Sequence, residues 1–336
     1  MKIKKLKGFL LIMIAVSLLT SGEAYSAWTQ AKGHSYHQVT ASYYESKNLY
    51  STVQHEGNDV VERVPSAKFT STDLSYYGEY GIIDPLTVFA SFAWKTPRSN
   101  DTLVYAQENG PSGIGDIDLG LRYNLTQNLF GTGTLCSLQG TVKIPEAYEY
   151  GYPFSYLSNG DGQYNTTLDI MFGKGIGKGY ILFNVGYKYR FENDNNIDIY
   201  PPGVDSSADY SFKPSDQVKV FIGGGYALPH NLELRGSVEY TKAVGNASAS
   251  QELLVAAAPY GINSDEEYKL FKDTLGLEQD VLNLGVGMAY TFPKAMLNGT
   301  WQTVFTYNQD VSGVDIFRTK NAGQGKTFSL ALVYMH

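Results

Sequence analysis

The chain has 336 residues, a formal net charge of −7, 27 tyrosines, 16 phenylalanines, 35 glycines and a single cysteine. The lone Cys136 excludes an internal disulfide framework and a thiolate metal cluster, and its alternation with Leu138, Val142 and Ile144 makes it a small apolar wall residue. An acidic chain is also a poor partner for nucleic acid. No apolar run reaches the roughly 18–20 residues of a transmembrane helix, and the aromatic- and glycine-rich remainder shows little helical periodicity.

Residues 1–26 read as a signal peptide. Lys2, Lys4, Lys5 and Lys7 form a basic start, Gly8–Leu19 is apolar, and Ala24-Tyr25-Ser26 sets small residues where a signal peptidase inspects them. Cleavage there leaves Ala27 or Trp28 first, with 22 basic against 32 acidic residues, a net −10. No cysteine follows the apolar run, so a lipid-modified N-terminus is not expected. Residues 27–336 are read as one domain.

Within that domain twelve segments alternate polar and apolar residues, near 35–45, 69–80, 86–96, 114–125, 134–144, 163–173, 180–191, 217–227, 231–242, 281–292, 300–309 and 326–335. In Gly113–Leu125 (GIGDIDLGLRYNL), Ile117, Leu119, Leu121, Tyr123 and Leu125 take one parity, whereas Asp116, Asp118, Gly120, Arg122 and Asn124 take the other. A strand sends alternate side chains to opposite faces, so one face is wholly apolar and the other charged. Ile181, Phe183, Val185, Tyr187, Tyr189 and Phe191 likewise oppose Asn184, Gly186, Lys188 and Arg190. The connections alternate short and long. Gly81–Pro85, Thr126–Gly133, Lys174–Gly179, Leu228–Asn231 and Pro293–Gly299 are turns, and 46–68, 97–113, 145–162, 192–216, 243–280 and 310–325 are loops. That rhythm is the sidedness of bacterial barrels, short in the periplasm and long outside. A soluble sandwich has no reason to keep it. The expected fold is all-β: a single antiparallel transmembrane β-barrel of about twelve strands in the outer membrane.

Parity then assigns a lumen. Asp116, Asp118, Arg122, Lys188, Arg190, Glu233, Arg235 and Glu239 are expected to line or gate a solute path, in an interior that mixes both signs and so favours neither ion strongly. The same residues could instead fill the interior as salt bridges. In the longest loop, the apolar run holding Leu253, Leu254, Val255 and Tyr260 stands where water is expected. Ser264 three residues before Glu267 is a capping-box spacing that predicts a short helix over Asp265–Leu275, with Tyr268 and Phe271 on its apolar side. These residues are the expected mouth, able to capture an apolar solute or to pack among themselves. No catalytic residues, metal ligands or cofactor are expected. His34, His37, His55, His230 and His336 fall in no serine–histidine constellation, the oxygen-rich loop 192–216 lacks EF-hand spacing, and the glycine strings match no phosphate-loop fingerprint.

The string Gly113–Leu125 resembles the G-x-G-D-x-x-L-G-x-x-Y-x-L signature of an outer-membrane family named for a phenol-degradation pathway, and Thr141-Val142-Lys143-Ile144-Pro145 resembles its companion K-x-P feature. The resemblance implies an outer-membrane channel for passive uptake of small hydrophobic or aromatic solutes. The alternative is a closed structural or adhesive barrel whose external loops bind ligands. The fatty-acid transporter branch of that wider group carries an N-terminal hatch. Here only Ala27–His34 precede the first strand, too few for such a plug. The alternation Phe328, Leu330, Leu332, Tyr334 resembles the C-terminal signal read by the barrel-assembly machinery, with His336 in place of the usual phenylalanine. Expected partners are that machinery, outer-membrane lipid and lipopolysaccharide, and a small apolar solute.

Overall fold

The computed structural model describes residues 27–55, 58–100, 109–148, 157–193, 211–252, 277–293 and 299–336. The expected signal peptide and the mouth-loop residues Leu253, Leu254, Val255, Tyr260, Tyr268 and Phe271, with the helix expected after them, lie outside the described residues.

Twelve strands close into one antiparallel barrel: β1 (Ser35–His55), β2 (Asn58–Ile83), β3 (Leu86–Ser99), β4 (Gly113–Leu129), β5 (Thr134–Ile144), β6 (Asn165–Ile176), β7 (Gly179–Arg190), β9 (Asp216–Ala227), β10 (Leu232–Val244), β12 (Val281–Thr291), β13 (Thr300–Val311) and β14 (Ala322–Met335). The two-residue strands β8 (Phe212–Lys213) and β11 (Ser248–Ala249) pair with each other outside that sheet. β14 closes the cylinder against β1, with Tyr36 opposite Met335 and Tyr50 opposite Ala322. Ser35 and His336 exchange backbone hydrogen bonds of 3.0 Å at the seam, so the last residue is part of the closure. Full closure leaves no sheet edge unpaired within lipid, where an unpaired peptide group is costly.

The alternation sets which side is which. On β4, Leu119, Leu121, Tyr123 and Leu125 are 46–55 % exposed, while Arg122 between them is 0 % exposed. Apolar side chains therefore clothe the outside and the charges turn to the axis. Aromatic residues ring the outside near the periplasmic rim. Trp301 and Tyr334 pack at 4.8 Å, Tyr290 and Phe292 at 5.3 Å, and His37 stacks on Tyr334 while its Nδ1 meets Tyr76 Oη at 2.8 Å. Such belts sit at the lipid headgroups. His230 stands in the β9–β10 turn with Asn231, both at positive φ, closed by Leu228 N–H donating to Leu232 O at 2.8 Å. Its place is set by turn geometry.

The strand number is as expected, but several strands are longer. Most of the expected loop 46–68 is a continuation of the β1–β2 hairpin, paired as far as His55 opposite Asn58. Once both faces of a strand meet water, nothing in the side chains need alternate, and hydrogen bonding alone extends the ladder. β4 continues to Leu129 and β14 begins at Ala322 for the same reason.

If Leu119 faces the bilayer, Leu119→Arg should lower the unfolding free energy of the barrel in lipid vesicles by about 2–4 kcal/mol. Leu119→Ile should cost much less. A loss under about 0.5 kcal/mol for the arginine variant would mean that this face does not meet lipid.

Candidate functional site

The eight residues before β1 enter the lumen from the periplasmic mouth. Thr29 Oγ1 donates to Asp84 O at 3.0 Å and Lys32 N–H to Asp84 Oδ1 at 2.9 Å, which fixes the segment at the β2–β3 turn. Deeper in, Gln30 N–H donates to Thr87 Oγ1 (2.8 Å) and its side-chain Nε2 to Glu79 Oε2 (2.6 Å). At the innermost point Ser137 Oγ donates to Ala27 O at 2.6 Å, and Ala27 is fully buried among Leu135, Met171, Leu182 and Phe221. Trp28 meets Tyr180 edge-on at 6.0 Å. Few as they are, these residues occupy part of the lumen along its wall. A segment that binds to wall groups already in place needs no core of its own.

Those wall groups centre on Arg122. Its Nη1 donates to Glu79 Oε1 at 2.9 Å and to Trp28 O at 3.0 Å, its Nε to Gln139 Oε1 at 2.9 Å, and its Nη2 to Tyr77 Oη at 3.4 Å. Tyr77 Oη in turn donates to Glu79 Oε1. Both partners of the ion pair are essentially without water, so each relies on the other and on this full set of hydrogen bonds. The guanidinium also stands 5.8 Å from the centroid of Phe89. Gly120 is glycine because a Cβ there would collide with the Phe89 ring.

A second filling element lies at the extracellular end. In the segment 157–163, Leu157, Ser158, Asn159 and Gln163 are buried. A Cβ on Gly115 would stand 2.7 Å from Asn159 O, which explains another glycine of the β4 signature. Lys143 Nζ bridges Asp116 (3.2 Å) and Asp161, and Tyr148 Oη donates to Asp116 Oδ1 at 2.5 Å while accepting from Gly162 N–H at 2.8 Å. Burial pushes the Asp161 carboxyl up, but Lys143 and Arg190 outweigh it and hold the group below the usual carboxylate range. Burial, helped by Asp116, lifts the Tyr148 phenol well above its ordinary value.

The plug contacts strands from β2 round to β9 and the strap leans on β4 and β5, and a space remains beside them. A cavity of about 820 Å³ is lined by residues of β1, β2, β3, β7, β9, β10, β12, β13 and β14, together with Trp28 and Gln30 of the plug. Nothing on β4, β5 or β6 reaches it. The expected path residues therefore divide. Lys188, Arg235 and Glu239 line the cavity. Arg122 and Asp116 belong to the two filling networks, Arg190 is buried beside Asp161, Asp118 accepts from Ser91 Oγ at 3.2 Å, and Glu233 accepts from Arg235 Nε at 2.6 Å. Parity placed all eight inward but could not separate wall-filling charges from lining ones. Tyr36, Tyr180 and Phe221, which also line the cavity, were legible as aromatics on the inward parity. Trp28 and Gln30 carried no such signal.

Lipid outside and water inside leave one class of protein, the transmembrane β-barrels of the bacterial outer membrane. This chain is similar in fold to an outer membrane channel from Pseudomonas putida F1, with a TM-score of 0.63 and 15 % identity over 94 % of this chain and 100 % of the other. Weaker likenesses include the NanC porin (TM-score 0.43, 8 % identity, 89 % and 98 % covered) and the Pseudomonas putida toluene transporter TodX (TM-score 0.40, 9 % identity, 97 % of each chain). No protein-family model and no curated protein matches the chain.

Two outcomes follow from these networks. Arg122→Ala leaves Glu79 buried without its counter-charge and should destabilise the barrel by about 3–5 kcal/mol in urea unfolding. It should also raise single-channel conductance, because Trp28 O loses its donor. Unchanged conductance in a folded variant would mean that Arg122 does not hold the plug. At the other end, the depressed carboxyl of Asp161 stabilises the strap at any pH above the ordinary carboxylate value of about 4, and that contribution is lost as pH falls through the lower folded value. Asp161→Asn at pH 7 should reproduce the conductance that the wild type shows only on strong acidification. Identical pH profiles for the two proteins would exclude the strap as a closing element.

Proposed function

We propose that the chain is a passive outer-membrane channel for small hydrophobic or aromatic solutes, narrowed at its periplasmic end by residues 27–34. The observation that carries this reading is the off-centre cavity. Two networks pack against β4 and β5, whereas a cavity of about 820 Å³ beside them is enough for a small aromatic molecule, with Trp28, Tyr36, Tyr180 and Phe221 near its periplasmic end. A barrel built only as a support has no reason to leave space of that kind on one side. The same reading takes the protein to act without catalytic residues or a cofactor. It also takes residues 1–26 to be removed on export, in keeping with Ala27 being fully enclosed by the wall. Outer-membrane lipid and lipopolysaccharide surround the barrel, the assembly machinery receives the Phe328–His336 strand, and the mouth loop holding Leu253–Tyr260 meets the solute first.

The closed structural or adhesive barrel remains the second reading, favoured by the dry Arg122–Glu79 pair across the periplasmic half. Proteoliposomes separate the two. Phenol should enter vesicles carrying the wild-type protein faster than empty ones, and faster still when residues 28–33 are deleted. If neither protein exceeds the empty vesicles, the channel reading fails and the structural one stands.

A further inference from the structure

The floor of the cavity carries one cation that is only partly engaged. Arg235 points inward from β10 and lines the cavity with about a third of its side chain exposed. Its Nε donates to Glu233 Oε1 at 2.6 Å and its Nη2 to Gln302 Oε1 at 2.9 Å, while its Nη1 hydrogen-bonds to no described residue. Glu233 is itself occupied, accepting from Tyr180 Oη at 3.2 Å. The carboxylate therefore holds one side of the guanidinium in place and leaves another N–H group turned to open space.

The surroundings of that group are aromatic. Tyr36 and Tyr180 lie within electrostatic reach of Arg235, and Trp28 stands edge-on to Tyr180. In the wall, the residues paired with Arg235 on both neighbouring strands are glycines, Gly225 on β9 and Gly287 on β12. The Tyr180 ring lies over Gly225, where a Cβ would stand 2.6 Å from it, so these glycines leave the flank of Arg235 to an aromatic face.

We propose that this floor is a binding site for an aromatic carboxylate: the carboxylate accepts from Arg235 Nη1, and the ring packs against Trp28, Tyr36 and Tyr180. The inference rests on the channel reading and narrows its solute class. An arginine offers donors only, so it discriminates among aromatic solutes by what they can accept. A carboxylate forms a charge-assisted bond roughly twice as strong as that of a neutral hydroxyl. The surrounding rings supply apolar area, and the Tyr36 and Tyr180 hydroxyls are turned to other partners, donating to Gln38 Oε1 at 2.6 Å and Glu233 Oε1 at 3.2 Å. A purely apolar solute would gain nothing from an arginine here, and a sugar would gain little from the three rings.

Two readouts test the site separately from the channel. Flux of benzoate and of benzyl alcohol is measured in the same proteoliposomes, for the wild type and for Arg235→Gln and Arg235→Lys. The wild type should favour benzoate. The glutamine variant should lose that preference roughly tenfold or more, the worth of one charge-assisted hydrogen bond, and the lysine variant should keep part of it. Binding is read independently from Trp28 fluorescence in a protein with Trp94 and Trp301 replaced by phenylalanine, which leaves Trp28 as the single tryptophan. Benzoate should change the signal saturably and benzyl alcohol should not. Equal flux of the two probes, unaltered by Arg235→Gln, would overturn the carboxylate site and leave the channel intact. If no probe crosses the membrane, the channel reading fails instead, and the Trp28 titration alone decides the site, with no saturable response counting against it. Should Arg235→Gln not fold, the lysine variant and the same titration carry the test.

Discussion

A guanidinium cut off from water persists only where its donors find acceptors and its charge finds a partner, and Arg122 sets that condition inside this barrel. It draws acceptors from β2 (Glu79, Tyr77), from β5 (Gln139) and from the backbone of Trp28. One residue thereby ties the wall strands to the segment that enters the lumen. A buried ion pair of this kind is weak as a source of net stability, because desolvation offsets most of its attraction. Its effect is on geometry. With Glu79 and Arg122 fixed against each other, Gln30 and Trp28 have a single place to bind, and the plug lies against one wall and not across the middle.

The extracellular strap repeats the arrangement with different residues. Lys143 stands between Asp116 and Asp161, and Tyr148 closes the group from above through Asp116 and Gly162. Both networks spring from β4 and β5, so the string Gly113–Leu125 holds both ends of the filled half. Gly115 gives room to the strap, Gly120 gives room to Phe89, and Asp116 and Arg122 supply the charges. The signature in that strand is thus explained by packing of the lumen. The residues that meet the cavity belong to the other strands.

Much of this fold was legible before any coordinates. The period of two told inside from outside because lipid and water impose opposite demands on the two faces, and the alternation of turns with loops gave twelve strands and their sidedness. What stayed hidden has physical reasons too. Hairpin residues such as Asn48–His55 project beyond the lipid, where neither face is selected for polarity, so they looked like loop. Ala27–Gln30 bind through two backbone carbonyls, a backbone N–H, the Thr29 hydroxyl, the Gln30 amide and the Trp28 ring, and such contacts leave no periodic trace. Parity could not say which inward charges pair with which. Asp116 and Arg122 look no different in sequence from Lys188 and Arg235, although the first two belong to the filling networks and the last two line the cavity.

The plug and the wall are held by forces of different scale. The wall is a closed ladder of backbone hydrogen bonds in a medium that offers no alternative partners. The plug is fixed by a few hydrogen bonds, each contributing about 0.5–1.5 kcal/mol net, and by the burial of Ala27 and part of Trp28. Ordering its backbone costs about 1–2 kcal/mol per residue. Neither side of that balance dominates, so the segment is held far less firmly than the barrel around it. A solute that packs on Trp28 gains those contacts only while the segment is docked, so filling the proposed site and docking of the segment favour each other. Under the proposed channel reading, this arrangement calls for no moving strand and no hinge. It needs only a short segment bound at marginal strength beside a rigid, half-filled cylinder.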